Sequence, residues 1–221
     1  MKHAAFKWKV DVISMSFGFP RWSQIISDTI QDVRKARDGA IILLASVGND
    51  INREEAYPAC DSSVISMHAT ASSGAFLPTS PFPSEGPHRL PYILGTYGDN
   101  VPENVLAELH AQFPNGDFSA GTSIATAVAA GIVGLMLAYA ALMPHLSHGP
   151  VAEYLHNTLR TTEGMRYMLV AMAKSWGSQQ YFVNPVLFWS STTSKCSLAE
   201  GDIRMFFAIG RAMPSWAMVM R

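Results

Sequence analysis

Residues 9–18, KVDVISMSFG, are β-rich and mostly apolar and end at a glycine. That pattern predicts a buried strand. Beyond Pro20, the residues Trp22, Ile26, Ile30, Val33 and Arg37 step at helical intervals, with Ile25 and Ala36 on the flanks. Gly39 supplies the stop of the helix they predict. Residues 40–48, AIILLASVG, are a continuous apolar run of strand length. Strand, helix and strand in close succession make a βαβ unit, so a parallel sheet covered on both faces is expected.

Residues 62–70, SSVISMHAT, predict another short strand, and residues 91–98, PYILGTYG, one more. Between them, residues 71–91 hold five prolines with Ser and Gly interspersed, which predicts a loop excursion. Residues 99–122 read as irregular and polar. A long apolar helix is expected to begin at Ser123, because residues 124–143 contain no charged side chain. Residues 159–174 predict a further helix, with Pro185 in the loop beyond it. Residues 191–221 show no clear period and read as a tail, which leaves 1–190 as one domain. In an open parallel sheet a site forms where strands end at their carboxyl edge. Gly18, Gly48 and Gly98 each end a predicted strand, so their loops should converge near the start of the Ser123 helix.

Composition narrows the function without naming it. The 221 residues, 48% hydrophobic and 15% charged, suffice for one domain with a sizeable core. The formal net charge of −1 comes without a basic stripe or acidic block, so no nucleic-acid partner is expected. Cys60 and Cys196 are the only cysteines, far apart and outside any CxxC pair, which argues against a disulfide framework. The basic N-terminus, MKHAAFKWKVDV, is not followed by the apolar core of a signal peptide, and a cytoplasmic location is the expectation. Residues 124–143 match the ~20 apolar residues that span a bilayer. They are rich in Ala and Gly and lack close Lys or Arg flanks, so a buried core helix rather than a membrane segment is expected.

Three short motifs carry candidate chemistry. In G-T-S-I-A-T, residues 121–126, Ser123 stands at a helix N-terminus, where unpaired N–H groups and the dipole favour an anion. Taken alone, the motif favours Thr122 or Ser123 as a helix cap, the commoner role. In residues 43–50, LLASVGND, Asn49 follows a strand end and can aim its amide into a site, or simply make a turn. Residues 14–18, SMSFG, close the first strand.

In this order the three motifs resemble the subtilisin-like serine proteases (subtilases). Ser16-Phe17-Gly18 resembles the stretch that lines the family's substrate cleft. Ala45-Ser46-Val47-Gly48-Asn49 resembles the strand end that carries its oxyanion asparagine. Gly121-Thr122-Ser123-Ile124-Ala125 resembles the segment that presents its nucleophile. Tyr57-Pro58-Ala59 with Val64-Ile65 resembles a further family segment. The likeness covers residues 9–145, and more loosely reaches 190. It implies a three-layer α/β/α domain with a mostly parallel sheet, acting on polypeptides. Ser123 would be the nucleophile and Asn49 an oxyanion donor. Ser16, Phe17, Gly18, Ala45, Ser46 and Gly48 would hold substrate as an added strand.

The chain also departs from the family pattern. Ala127 stands where the family has proline; alanine favours the helix, which should continue. Val47 replaces a smaller residue and is expected to narrow the pocket beside it. The triad's Asp and His, which precede the asparagine in the family's order, have no matching motifs here. His3 lacks the H-G-T context. His68 falls within a strand, where a satisfied core histidine is expected. His88, His110, His145, His148 and His156 fall in loops and helix flanks. Asp11 begins a strand and reads as structural. The chain therefore reads as the serine-bearing, C-terminal part of a subtilase domain. Calcium accompanies many members, but no ligand cluster is assignable, and no metal or other cofactor is expected from these residues.

Overall fold

The computed structural model describes residues 1–81, 92–99, 102–116, 120–146, 150–177 and 179–186. A short π-helical turn, Ala4–Trp8, precedes strand β1, Val12–Met15. Helix α1, Gln24–Lys35, leads to β2, Ile42–Ser46. Strands β3, Ile65–Thr70, and β4, Ile93–Tyr97, follow. Then come α2, Glu103–Gln112, α3, Thr122–Leu146, α4, Pro150–Leu159, and α5, Thr162–Ala171. A hairpin of β5, Ala173–Ser175, and β6, Gln180–Val183, ends the described chain.

The six strands form one sheet in the order β1-β2-β3-β4-β6-β5, parallel except for β5. Alternation along β2 builds both cores at once. Ile42 and Leu44 enter a cluster with Met136, Leu155 and Leu169 from α3, α4 and α5. Leu43 and Ala45 enter a second cluster with Ile30 and Val33 of α1. A strand with every side chain buried, as here, requires cover on both faces. The result is helix, sheet and helix in three layers, as the sequence predicts.

Helix α3 runs unbroken through Ala127 and packs along β1, β2, β3 and β4. Ala125, Ala129, Val133, Met136 and Ala140 face the sheet and are fully buried. Small residues let the helix lie close to the strands. Thr122–His145 is long and apolar enough to cross a membrane, yet here it is the central helix of a layered domain. On its other side Val128, Leu135 and Leu142 are 37%, 44% and 51% exposed. They repeat every seventh residue, so they line one stripe. Strand β1 lies at the sheet edge, with no strand beyond it among the described residues.

Several expectations need correction. Residues 99–122 are not all irregular, since α2 occupies part of them; it buries no residue, so it has no apolar stripe. The helix expected over 159–174 ends at Ala171, and Ala173 to Ser175 pair antiparallel with β6 instead. β1 is shorter than its apolar run, which leaves residues 16–18 outside the sheet. Asp11 is structural as expected: Arg37 and Arg160 both donate to its Oδ1 at 2.9 Å. The proline-rich stretch beyond residue 81, His88, His148, Cys196 and the tail 191–221 lie outside the described residues.

Candidate active site

The glycine-ended strands do converge on the start of α3. Gly48 takes φ +106°, a conformation that favours glycine, and turns the chain from β2 into Asn49. Gly121 N–H donates to Gly98 O at 2.6 Å, and Gly98 N–H to Thr70 O at 3.0 Å, so the ends of β3 and β4 meet the same point.

Thr122 latches β2 to α3. Its N–H donates to Asn49 Oδ1 at 2.8 Å, and its Oγ1 accepts from Gly48 N–H at 3.2 Å. The Thr122 hydroxyl proton has two acceptors in reach, Asn49 Oδ1 at 3.1 Å and Gly48 O at 3.2 Å. Because a backbone N–H can only donate, the Asn49 atom facing it must be the carbonyl oxygen. That fixes the amide's orientation and leaves Nδ2 as its donor end. A Cβ at Gly121 would lie 2.6 Å from Asn49 Nδ2, so only glycine allows this approach.

Ser123 is exposed in the first turn of α3. Its N–H is among those that a helix leaves without an internal acceptor. Its side chain is reciprocally tied to Ser16: Ser16 Oγ donates to Ser123 O at 3.0 Å, and Ser123 Oγ to Ser16 O at 3.4 Å. The structure thus brings Ser123, Asn49 and Ser16 together from three separate elements. The partner of the Ser123 hydroxyl is a carbonyl oxygen, not an imidazole.

Beside this cluster a cavity of about 870 Å³ opens, with Gly18, Val47, Gly48, Asn49 and Ala56 on its lining. Its walls are cross-tied. Phe19 and Tyr57 exchange two backbone bonds of 2.7 and 2.9 Å, and Ala56 N–H donates to Val47 O at 2.9 Å. Phe17 and Gly18 are exposed, and Gly18 lines the cavity. Ala45 and Ser46 are buried inside β2, paired with Met15 of β1 and Met67 of β3 respectively. They support the site from beneath. Val47 is fully buried in the cavity wall.

His68 is buried in β3, and its Nε2 lies 3.1 Å from Glu55 Oε1. His156 Nδ1 lies 2.8 Å from Ala140 O, while His110 and His145 are exposed on α2 and α3. Two residues that the sequence reading passed over also line the cavity. Glu55 sits just before Ala56-Tyr57-Pro58, and its polar character inside that segment was the available signal. Arg166 of α5 is 7% exposed and donates through Nη2 to Ser62 O and Val64 O, both at 2.6 Å. Burial pushes its pKa below the ordinary guanidinium value. Burial likewise pushes the Cys60 thiol and the Tyr57 hydroxyl up. Among the described residues no three His, Cys, Asp or Glu side chains cluster to hold a metal ion. The converging carbonyls of Ser62 and Val64 already hold a side-chain cation, so these residues do not fit a calcium ion.

Comparison with known proteins sets this geometry in context. A search of curated proteins gave no match. Among solved structures, a variant of the protease domain of PatA matches with a TM-score of 0.56 and 16% identity, over 92% of this chain and 62% of that one. The prenylagaramide maturation protease PagA matches with a TM-score of 0.53 and 16% identity, over 94% of this chain and 65% of that one. At this identity the likeness speaks for the fold alone, and the chain spans less than two thirds of either relative. The model of the subtilase family, Peptidase_S8, matches residues 1–196. With the α/β fold and a family match over most of its length, the chain belongs to the subtilase family.

Proposed function

We propose that this chain carries the nucleophile and oxyanion site of a serine endopeptidase. Ser123 Oγ attacks the carbonyl carbon of an extended peptide, and the carbonyl oxygen becomes an oxyanion. Asn49 Nδ2 and the Ser123 N–H donate to that oxygen. When the tetrahedral intermediate collapses, the C–N bond breaks, the amine leaves with a proton, and an acyl ester remains on Ser123. Water then hydrolyses the ester and restores the hydroxyl. The exposed main chain of residues 16–18, with Gly48 opposite, would hold the peptide beside the cavity, and Ala45 and Ser46 would hold that wall in place.

The single observation that carries this reading is the 2.8 Å bond from Thr122 N–H to Asn49 Oδ1. It spends the amide's acceptor and leaves its donor beside the nucleophile's helix turn, which is what a preorganised oxyanion site requires. The Ser123 hydroxyl proton still needs a base to accept it and pass it to the leaving amine. Among the described residues β1 has no strand beyond it, and the exposed stripe of Val128, Leu135 and Leu142 runs from the second turn of α3 along its length. An element packed there could bring an imidazole to Ser123.

A second reading is a peptide-binding module without catalysis. It is favoured by the Ser123 hydroxyl donating to Ser16 O, a non-basic partner. Peptide hydrolysis by the native protein separates the two. The endopeptidase reading expects turnover that falls by about 10²–10³ in kcat in Asn49→Ala, the loss typical of one oxyanion donor. Peptide binding with no hydrolysis by the native protein rejects it in favour of the binding module.

A further inference from the structure

We infer that Glu55 makes the cavity beside Asn49 selective for a cationic side chain, lysine or arginine, on the bound peptide. The inference rests on the peptide-cleft reading above and goes on to its specificity. Three observations place the carboxylate. Glu55 adjoins Ala56, whose N–H is bonded to Val47 O, so the residue is anchored to the wall that faces Gly18 and Gly48. Its partner His68 stands one position beyond the Ser46–Met67 pair, level with Val47 and on the same sheet face, opposite Met67. Both Glu55 and His68 line the cavity. The carboxylate therefore lies at the depth of Val47, directly below the rim that Gly48 and Asn49 form.

The charge at that depth is not matched by a fixed cation. Among the described residues Glu55 forms no ion pair with lysine or arginine; its partner is the His68 imidazole, with Nε2 3.1 Å from Oε1. Three arginines line the cavity: Arg21 is exposed and forms no ion pair with Glu55, and the other two are engaged elsewhere. Arg53 pairs with Asp50 at 3.0 Å, and Arg166 is held by the carbonyls of Ser62 and Val64. The surrounding wall of Gly18, Val47 and Ala56 is apolar and suits a methylene stem. An extended side chain entering past Asn49 would lay its stem on these residues and place its charged head at Glu55. A charge-assisted bond formed away from bulk water strengthens such recognition.

The test uses three blocked tetrapeptides, Ala-Ala-Ala followed by lysine, norleucine or glutamate, titrated calorimetrically against the folded chain in mildly alkaline buffer. Norleucine matches the lysine stem without its charge. The lysine peptide should bind about tenfold or more tighter than the norleucine peptide. Glu55→Gln should bring the two within about twofold, with the norleucine affinity kept. Equal affinities in the wild-type chain overturn the inference, and that comparison needs no variant. Preference for the glutamate peptide also overturns it and would make Arg166 the dominant charge. Binding of all three peptides without a lysine preference removes only the Glu55 assignment. Failure of every peptide to bind removes the cleft reading and this inference with it.

Discussion

Replacing Thr122 with valine keeps the shape of the side chain and removes only its hydroxyl. Thr122 is buried, so no water stands ready to substitute. The change deletes one accepted bond, from Gly48 N–H, and one donated bond, to Asn49 Oδ1 or Gly48 O. Each is worth about 0.5–1.5 kcal/mol net, and stranding the Gly48 N–H adds about 1–3 kcal/mol. The sum is a loss of about 2–6 kcal/mol of folding stability. Thr122→Ser retains the hydroxyl and loses one methyl group, about 1 kcal/mol. Urea unfolding of the three proteins reads these differences from the midpoints at constant slope. A Thr122→Val variant within about 0.5 kcal/mol of wild type would refute the latch, as that is the range of an ordinary surface change. So would a Thr122→Ser variant as unstable as the valine one, because packing and not the hydroxyl would then be responsible.

Two other outcomes follow from groups around the cavity. Arg166→Met keeps an unbranched buried stem but leaves the carbonyls of Ser62 and Val64 without their shared donor. It should cost about 2–4 kcal/mol and lower the thermal midpoint by about 2–4 °C per kcal/mol for a chain of this size; an unchanged midpoint would contradict it. Cys60 is exposed as a residue, but partial desolvation of its thiol raises the pKa, so the neutral thiol is favoured in the fold and less thiolate is present at any given alkaline pH. Alkylation of Cys60 by iodoacetamide, followed by peptide mass spectrometry, should be slower in the folded than in the urea-unfolded chain. Its rise with pH should also be displaced upward on folding. Equal pH profiles in both states would show that burial has no hold on the thiol.

The layered fold was legible because its signals are local. The β2 run is apolar at every position, which only a doubly covered strand tolerates. Gly48 and Gly98 stand just beyond the ends of β2 and β4, whereas β1 stops at Met15, short of Gly18; the uncharged run after Ser123 marked α3. Helix α2 was invisible because it buries nothing, so no periodic stripe distinguishes it. The boundary between α5 and β5 was hidden because apolar residues continue through Met172. At the site, residue types and order sufficed to single out Ser123, Asn49 and Ser16. The contacts that define their chemistry did not show in the sequence. Ser123 and Ser16 are 107 positions apart, and Thr122 and Asn49 are 73 apart. The pairing of His68 with Glu55 likewise depends on how the loop after β2 folds back over β3. Ala45 and Ser46 share a motif with Asn49 and lie buried in β2, Ala45 paired with both Met15 and Ser66 and Ser46 with Met67.

The central claim is that Ser123 is a nucleophile rather than a helix cap. The most direct measurement is treatment of the native protein with a fluorophosphonate probe, with the adduct located by peptide mass spectrometry. The account predicts a single adduct on Ser123 that disappears in Ser123→Ala. An unlabelled native protein, or labelling that persists in Ser123→Ala, would contradict it.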